Sequence, residues 1–406
     1  MIGSSVIRTL ADIPDLPSQT AQELAPVLKV FEFRVSQYYA GLIDWENPDD
    51  PLRRIVMPEI SELDSLLDID ASDEESNTAV HGLQHKYRPT ALLLVNDVCS
   101  SYCRFCFRKR FTLATSKADH ILPPGHDYSN EKETTFDIRA GIEYISRHPE
   151  IDNVLITGGD PLTLSVGRLE AIIKQVRAIA HVRAIRIGSK VPAFDPQAIT
   201  ADILAMLSSY SSPDGRIYIM MHFNHQRELT ALACQKITEI VHHGLTACNQ
   251  TPLLRGVNDS SNELAALHRR LADVGVVPYY VFQCRPTRGN ERFILSLQEG
   301  LQIVNGAKSQ LSGLAKRFRY VGSHTTGKIE VVGVLADQLV LHYHEAKSVS
   351  DENRIMTWPM DRPVTWFDEI VGSVTPEGIQ TGRFTASSSP APNRVIPKSQ
   401  LNLAHS

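Results

Sequence analysis

The sequence is poor in the features that mark several large classes of protein. Only 6 of its 406 residues are cysteine, which argues against a disulfide framework and favours a reducing compartment. No apolar run approaches the ~18 residues that a membrane span needs, and the first thirty residues show no basic-then-apolar leader. The net charge of -5 leaves no excess of positive charge for nucleic acid or an anionic membrane. We therefore expect a cytoplasmic globular protein that binds neither.

What the chain does have is a local concentration of thiols. Cys99, Cys103 and Cys106 are separated by three and then two residues, whereas structural zinc sites commonly close four ligands in Cys-x2-Cys or Cys/His pairs. Three thiolates leave a metal with an open position, and they also suit an iron–sulfur cluster. Three buried, reduced core thiols are the alternative. The remaining cysteines are scattered among apolar segments and are interpreted as core thiols: Cys234, Cys248 and Cys284.

Short apolar segments that alternate with helical patterns predict a parallel sheet. The first segment, 91–95, is bounded by Pro89 and Asn96, as expected of a strand that is buried on both faces. The cysteine loop follows it directly, at the strand end where α/β barrels place reactive groups. Six such strands predict a sheet that is either curled into a barrel or doubly wound. The other five are predicted at 153–157, 183–187, 217–222, within 245–254 and at 277–283.

The two flanks of this alternating region differ from it. A helix is predicted from Ser18 by a capping box and by helical spacing of apolar residues. The acidic run 59–75 is interpreted as a solvated face or linker without chemistry. Two strands, 329–334 and 338–343, are predicted around a turn. The closing segment 385–406 is rich in serine and proline, and we expect it to be mobile.

The cysteine loop, with Phe105 before the third cysteine, resembles the radical S-adenosylmethionine (SAM) signature Cys-x3-Cys-x-aromatic-Cys. In that superfamily the cysteines hold a [4Fe-4S] cluster, and SAM chelates its fourth iron. Gly158, Gly159 and Asp160 follow a predicted strand, where glycines let the backbone approach a ligand closely. Such a turn is weak evidence alone. About fifty residues after the cysteine loop, however, it resembles the superfamily motif that binds the amino group of SAM.

Further motifs narrow the resemblance to the lysine 2,3-aminomutase family of radical SAM enzymes, in the family's order over roughly residues 35 to 335. The resemblance implies a partial (β/α)6 barrel and an isomerase that moves the α-amino group of lysine or another amino acid to the β-carbon. It also implies three cofactors: a [4Fe-4S] cluster, SAM and pyridoxal 5′-phosphate (PLP). The motifs begin at Tyr39-Ala-Gly, Asn47-Pro-Asp, Gly82-Leu-Gln, Cys99, Thr157-Gly-Gly, His222-Phe-Asn, Asn249-Gln, Leu253-Leu-Arg, Pro278-Tyr-Tyr and Gly327-Lys.

The resemblance also implies roles for single residues. Lys328 matches the lysine that binds PLP as a Schiff base, which requires an amine able to lose its proton. Arg108 matches the arginine that pairs with the substrate carboxylate, a task suited to a bidentate guanidinium. Asp259 matches one of two aspartates that bind the distal ammonium of lysine. Lys86 and Arg88 lie where the family has basic residues, so the resemblance implies them as contacts for the PLP phosphate.

Two positions and one missing set of cysteines depart from the family pattern. Val321 stands where the second aspartate is expected, so the resemblance does not fix lysine as the substrate. Thr90 replaces an arginine that lies nine residues before the first cysteine. No cysteine follows Cys284, so the late cysteines that bind zinc in other members are missing.

Together these features predict four regions. They are a helical N-terminal extension with an acidic linker (1–85), a radical SAM core barrel (86–290), a C-terminal segment with strands and the PLP lysine (291–384), and a tail (385–406). The expected partners are an amino-acid substrate, an electron donor such as flavodoxin or ferredoxin, and further copies of the chain in a homo-oligomer. Two alternatives remain: a radical SAM enzyme with a different outcome on an amino acid or protein lysine, and a non-catalytic iron–sulfur redox sensor.

Overall fold

A twelve-stranded sheet runs through the computed structural model, which describes residues 5–14, 16–112 and 137–373. The strands follow one another across the sheet in sequence order, from β3 at one edge to β14 at the other. Their bounds are β3 Thr78–Val80, β4 Leu83–Tyr87, β5 Thr90–Asn96, β6 Asn153–Gly158, β7 Ala184–Ser189, β8 Arg216–Met221, β9 Thr246–Leu253, β10 Val277–Gln283, β11 Arg319–His324, β12 Gly327–Leu335, β13 Gln338–Ala346 and β14 Ile355–Pro359. A separate antiparallel pair joins β1 Val6–Ile7 to β2 Val35–Ser36.

Helices alternate with the strands in the middle of the chain. The α-helices are α1 Ser18–Leu28, α2 Gln37–Ala40, α3 Pro51–Val56, α4 Arg139–Arg147, α5 Val166–Arg177, α6 Val191–Phe194, α7 Ala201–Ser209, α8 Ala231–His242, α9 Ser261–Asp273, α10 Leu297–Ser309 and α11 Asp368–Ser373. The predicted helix start at Ser18 is confirmed. None of the helices in the described ranges is long and apolar enough to cross a bilayer.

Strands β5 to β11 are parallel, and antiparallel strands flank them on both sides. The sheet is curled, because side chains from β4 reach β11 although six strands separate the two in the sheet order. Lys86 Nζ donates to the carbonyl oxygen of His324, and the Tyr87 hydroxyl lies 3.3 Å from Ser323 Oγ. The α/β fold with a curled parallel sheet is therefore confirmed, and β4 and β11 meet along the seam of the curl.

The seventh parallel strand, β11, was absent from the prediction. Its sequence, Arg319-Tyr-Val-Gly-Ser-His324, contains no continuous apolar run, so it gives little strand signal. It is nevertheless paired with β10 on one side and β12 on the other, and Val321 is fully buried. Position in the sheet, rather than local propensity, makes this segment a strand.

The acidic run 59–75 is not a solvated linker, and the prediction was wrong in this respect. Glu62 is 2% exposed and Glu74 is 6% exposed. Glu62 pairs with Arg104 and Lys109, while Glu74 pairs with Arg108 and Arg110. The run folds onto the cysteine loop because that loop carries four basic side chains that are buried and need counter-charges.

Replacing Glu62 by Ala is expected to lower the free energy of unfolding by about 3–5 kcal/mol, since Arg104 and Lys109 would remain buried without their carboxylate. Burial alone would raise the pKa of Glu62, but the two cations lower it to about 2. The difference between the wild type and the variant should therefore be full above about pH 4.5 and disappear as the pH falls towards 2. Urea unfolding across this range measures it.

The matched control is Glu143→Ala. Glu143 forms an exposed pair with Arg147 one helical turn away, and such pairs contribute no more than about 0.5 kcal/mol. An equal loss in the two variants would contradict a buried, charge-compensating role for Glu62.

The described side chains pack into three apolar clusters. One lies between β5–β9 and the helices that cover them, and a second lies between β10–β14 and helices α9 to α11. The third joins the N-terminal region to Phe105 in the cysteine loop and to Phe293 before α10. The predicted four-region division stays a prediction, and the tail 385–406 lies outside the described residues.

Candidate active site

A cavity of about 360 Å³ lies inside the curl of the sheet. Its wall contains the three clustered cysteines, the Gly158-Gly159 turn and Lys328, which are far apart in the sequence. Side chains from β4 on one side and from β13 on the other complete the wall. The carboxyl ends of the parallel strands thus open into one enclosed space, as expected for a curled α/β sheet.

The cysteine loop is held in place by the N-terminal region. The Tyr102 amide donates to the carbonyl oxygen of Arg34 at 2.9 Å, and the Arg104 amide donates to that of Ile55 at 2.8 Å. The Arg104 side chain is 2% exposed and donates from Nε to Glu62 at 3.0 Å. These contacts fix the backbone between the cysteines without any contribution from the thiols.

The three thiols suit a cluster better than a single metal ion. Cys99, Cys103 and Cys106 are unbridged and partly exposed. No three His, Cys, Asp or Glu side chains converge on a single ion within the described ranges. In an iron–sulfur cluster the thiolates bind different irons, so their sulfur atoms need not converge. Burial raises the pKa of all three thiols, so the uptake of iron must release their protons.

The two glycines at the end of β6, Gly158 and Gly159, are required by close packing. Gly158 has a φ of 114°, in the region that favours glycine, and a Cβ there would overlap the carbonyl oxygen of Asn96. A Cβ on Gly159 would lie 2.6 Å from the backbone nitrogen of Val98. The turn is therefore pressed against the residues that lead into Cys99, which places its backbone beside the cysteine loop.

Hydrogen bonds to the Asp160 side chain stabilise this turn. Its carboxylate accepts hydrogen bonds from the Leu162 amide at 3.0 Å, Ser189 Oγ at 3.0 Å, the Lys190 amide at 2.7 Å and the Val191 amide at 3.0 Å. Three of these donors reach Oδ2 and one reaches Oδ1, so Oδ1 keeps one acceptor position. Burial raises the pKa of Asp160, and the four donors counteract that rise.

Lys328 is the second residue of β12 and points into the cavity. Its Nζ lies 2.5 Å from Glu345 Oε2 and about 5 Å from the ring centres of Tyr87 and Tyr280. Burial lowers the pKa of Lys328, and Glu345 opposes that shift. The lysine is thus an enclosed amine with a neighbouring carboxylate that can accept its proton.

Arg108 also faces the cavity, but one edge of its guanidinium is held by another residue. Its Nη2 lies 2.8 Å from Glu74 Oε1, and its Nε donates to both Glu74 oxygens at 3.0 and 3.1 Å. Its Nη1 donates to Thr157 Oγ1 at 3.3 Å. Glu74 and Thr157 fix the plane of the guanidinium, so any ligand carboxylate must share Arg108 with Glu74.

Not all of the remaining predicted site residues lie in the cavity. Lys86 lines the cavity, whereas Arg88 is exposed in the turn between β4 and β5. Asp259 lies half-buried in the loop between β9 and α9 and is not part of the cavity wall. Val321 is buried on β11. The structure therefore brings Lys86 to the other candidates but does not bring Arg88 or Asp259 to them.

Several known proteins are similar to this chain over most of its length. A protein of Aquifex aeolicus named "putative L-lysine 2,3-aminomutase" is 43% identical over 360 residues, which cover 88% of this chain and 92% of that protein. The chain belongs to the lysine 2,3-aminomutase family of radical SAM enzymes. An L-lysine 2,3-aminomutase of Fusobacterium nucleatum is 35% identical, covering 76% of this chain and 69% of that protein. The chain matches no protein-family model.

Membership in the lysine 2,3-aminomutase family confirms the predicted enzyme class, an isomerase of the radical SAM type. It leaves the amino acid open, because a glutamate 2,3-aminomutase of Clostridioides difficile is also similar, at 31% identity over 76% of this chain and 69% of that protein. Family membership implies the cluster, SAM and PLP.

Three charged residues of this family member were missed by the sequence analysis. Glu345 could have been found by extending the predicted hairpin, since a two-residue turn at Ala336-Asp337 pairs Lys328 with Glu345. Glu74 had a weaker signal, namely the four basic residues near the cysteines that require counter-charges. Arg285 had no signal, because a single arginine after a strand is usually a surface residue.

Proposed function

We propose that this chain is a PLP-dependent radical SAM 2,3-aminomutase that acts on a free amino acid. The observation that carries the proposal is the convergence of three thiols, a Gly-Gly turn and a buried lysine on one cavity. These elements come from the ends of β5 and β6 and the start of β12. A redox sensor would need the thiols alone, and it offers no reason for the buried pair of Lys328 and Glu345.

The residues that would hold the cofactors fit their chemistry. Cys99, Cys103 and Cys106 would ligate a [4Fe-4S] cluster, and the backbone of Gly158 and Gly159 would bind the amino group of SAM. When bound, these groups supply a carbon-centred radical that removes a substrate hydrogen, and PLP supplies a π system that stabilises the radical while nitrogen migrates. The electron would come from a donor such as flavodoxin or ferredoxin.

The contribution of Asp160 is to shape the SAM site. Its Oδ2 accepts three internal hydrogen bonds and its Oδ1 accepts one, so we assign the polar contact with SAM to the glycine backbone and to the remaining acceptor position of Oδ1. Asp160 would keep the turn and the start of α6 at a fixed separation, which positions the site before any ligand arrives.

Lys328 would hold PLP through its amine. Bond formation with a carbonyl requires the neutral amine, which burial favours by lowering the pKa of Lys328. Glu345 Oε2, 2.5 Å from Nζ, is placed to accept the proton and to return it when the bond to the lysine is broken. Tyr87 and Tyr280 flank the amine and restrict the access of water.

Arg108 would bind the substrate carboxylate beside the cluster. It lies two residues after Cys106, so a carboxylate on its guanidinium is close to the place where the radical would form. Glu74 holds the side edge of Arg108 rigid and reduces the entropy lost on binding. The side-chain end of the substrate is left open, because Asp259 does not reach the cavity wall and Val321 offers no charge.

The function is tested by anaerobic incubation of the reconstituted, reduced, PLP-loaded protein with SAM and a mixture of the common amino acids. We expect one of them, lysine or another, to gain a β-isomer, detected by mass spectrometry after derivatisation, with no β-isomer when SAM is omitted. Formation of 5′-deoxyadenosine without any β-amino acid would replace the proposal with a radical SAM enzyme of another outcome. Iron binding without 5′-deoxyadenosine would indicate the redox sensor.

A further inference from the structure

The carboxylates on the cavity wall are already engaged. Within the described ranges the wall contains three of them, Glu74, Asp160 and Glu345. Glu74 is paired with Arg108. Glu345 is paired with Lys328. Asp160 accepts four internal hydrogen bonds beside the proposed SAM site. An ammonium that is withdrawn from water needs a carboxylate of its own, so the described wall offers no partner to the side-chain ammonium of lysine.

Arg285 is a cation on the same wall that has no carboxylate partner among the described residues. Its Nη2 donates to the carbonyl oxygen of Ser323, and its Nε has no acceptor among the described residues. Its Cζ lies 4.9 Å from the ring centre of Phe107 and 5.7 Å from that of Trp366. An arginine that is oriented by two rings and still has a donor to place is well suited to an oxyanion.

Arg285 and Arg108 lie against the same ring. The Cζ of Arg108 is also 4.9 Å from the ring centre of Phe107, so twice this distance, about 10 Å, is the most that can separate the two guanidinium carbons. Hydrogen bonds of about 2.8 Å place the carbon of a bound carboxylate on the order of 4 Å from the guanidinium carbon. The two carboxyl carbons of extended glutamate are on the order of 5 Å apart. One amino acid with a carboxylate at each end can therefore be bound by both guanidiniums.

Two further cations of the wall, Lys86 and Arg186, also have no carboxylate partner among the described residues. Lys86 is the residue that the family resemblance assigns to the PLP phosphate. Arg186 points towards the amino ends of the strands, since its Nε donates at 2.9 Å to Oδ1 of Asn153, the first residue of β6. Arg108 and Arg285 instead lie in the segments that follow the carboxyl ends of β5 and β10. Position therefore distinguishes Arg285, beside Arg108, from Arg186.

We propose that the substrate is an α-amino acid with a second carboxylate in its side chain, and that Arg285 binds this distal carboxylate. The inference rests on the proposed function, in which Arg108 binds the α-carboxylate. Aspartate does not qualify, because moving its amino group from carbon 2 to carbon 3 gives aspartate again. Glutamate is the shortest common amino acid that fits. Its C2–N bond would break, a C3–N bond would form, and one hydrogen would move from carbon 3 to carbon 2, with no net oxidation.

This assignment accounts for the apolar residue at position 321. Val321 lies two residues before Ser323, whose carbonyl oxygen accepts from Arg285, so the two side chains are on the same face of β11. The aspartate that the family pattern has there, for an ammonium, would compete for Arg285 and repel a distal carboxylate. Valine removes that repulsion.

The test titrates reconstituted, PLP-loaded protein with glutamate, glutamine and lysine in the absence of SAM and follows the absorbance of PLP. Glutamine has the shape of glutamate without its side-chain charge. The wild type should bind glutamate at least about 30-fold more tightly than glutamine or lysine. Arg285→Gln should raise the Kd for glutamate by roughly 10- to 100-fold and reduce the preference over glutamine to less than about 3-fold. Arg285→Lys keeps the charge and should lie between the two.

The matched control is Arg186→Gln, which should keep the preference for glutamate. Loss of the preference in Arg186→Gln but not in Arg285→Gln would overturn the assignment of Arg285. A weaker affinity of Arg285→Gln for PLP itself, with an unchanged ratio of the Kd values for glutamate and glutamine, would overturn it as well. A wild-type preference for lysine would overturn the substrate class, whether or not the variants fold.

Addition of SAM and a reductant to the glutamate-bound wild type tests the underlying function separately. We expect the β-isomer of glutamate, detected by mass spectrometry. If glutamate binds with the expected preference and none of the amino acids gains a β-isomer, the proposed function fails. If lysine binds best and gains a β-isomer, this inference fails and the proposed function stands.

Discussion

Replacing Cys99, Cys103 and Cys106 together by Ala should abolish iron binding and the reductive cleavage of SAM. The three thiols face one cavity beside the Gly-Gly turn, and they are the proposed protein ligands of the cluster. Removing them leaves iron without thiolates, so the loss should be complete rather than graded. Anaerobic reconstitution measures the first effect as iron content and brown absorbance, and formation of 5′-deoxyadenosine measures the second.

The matched control is Cys248→Ala. Cys248 is a buried thiol, 7% exposed, on β9, and it is not among the residues that line the cavity. The control should bind as much iron as the wild type. If the triple variant retained iron and still cleaved SAM, the interpretation of the cysteine loop would be wrong.

Lys328→Ala is expected to lower turnover by several orders of magnitude and to remove the absorbance of protein-bound PLP. Without the amine there is no group in this position to bond to the cofactor and release it again. Glu345 would also be left in the cavity without its cation. Absorbance after PLP loading and the rate of β-amino acid formation are the two measurements.

Lys328→Arg tests whether the covalent bond to PLP is required, because it keeps the positive charge of the side chain and removes the amine that forms the bond. Arginine keeps a cation that can pair with Glu345, but its guanidinium stays protonated and does not form a Schiff base under these conditions. It should therefore preserve folding while failing to bind PLP covalently. A PLP absorbance band with full turnover in either variant would contradict the assignment of Lys328.

Features carried by continuous local patterns could be predicted from the sequence. Three features can each be recognised from a few consecutive residues: the apolar strand β5, the cysteine spacing directly after it, and the glycine turn at the end of β6. Parallel topology then requires the two loops to meet at one edge of the sheet. The position of Lys328 was accessible only through the resemblance to a family, since a lysine after a glycine carries no signal of burial.

Features that depend on contacts distant in sequence could not be predicted. The strand β11 has weak propensity and is created by its neighbours β10 and β12. The burial of Glu62 and Glu74 depends on basic residues more than thirty positions later, so composition alone made their segment look like a solvated face. Arg285 is held in the cavity by Ser323 on β11 and by the rings of Phe107 and Trp366, all of which are distant from it in the sequence.

The contacts that hold the cysteine loop do not depend on the iron–sulfur cluster, so they should persist when the cluster is lost. The loop is held by backbone bonds to Arg34 and Ile55 and by the buried pair of Arg104 with Glu62, none of which involves sulfur. Unlike a zinc finger, which unfolds when its metal leaves, this loop should keep its shape after oxidative damage has destroyed the cluster. A new cluster could then be inserted into the cysteine loop of the same folded chain, so that no new protein molecule need be synthesised.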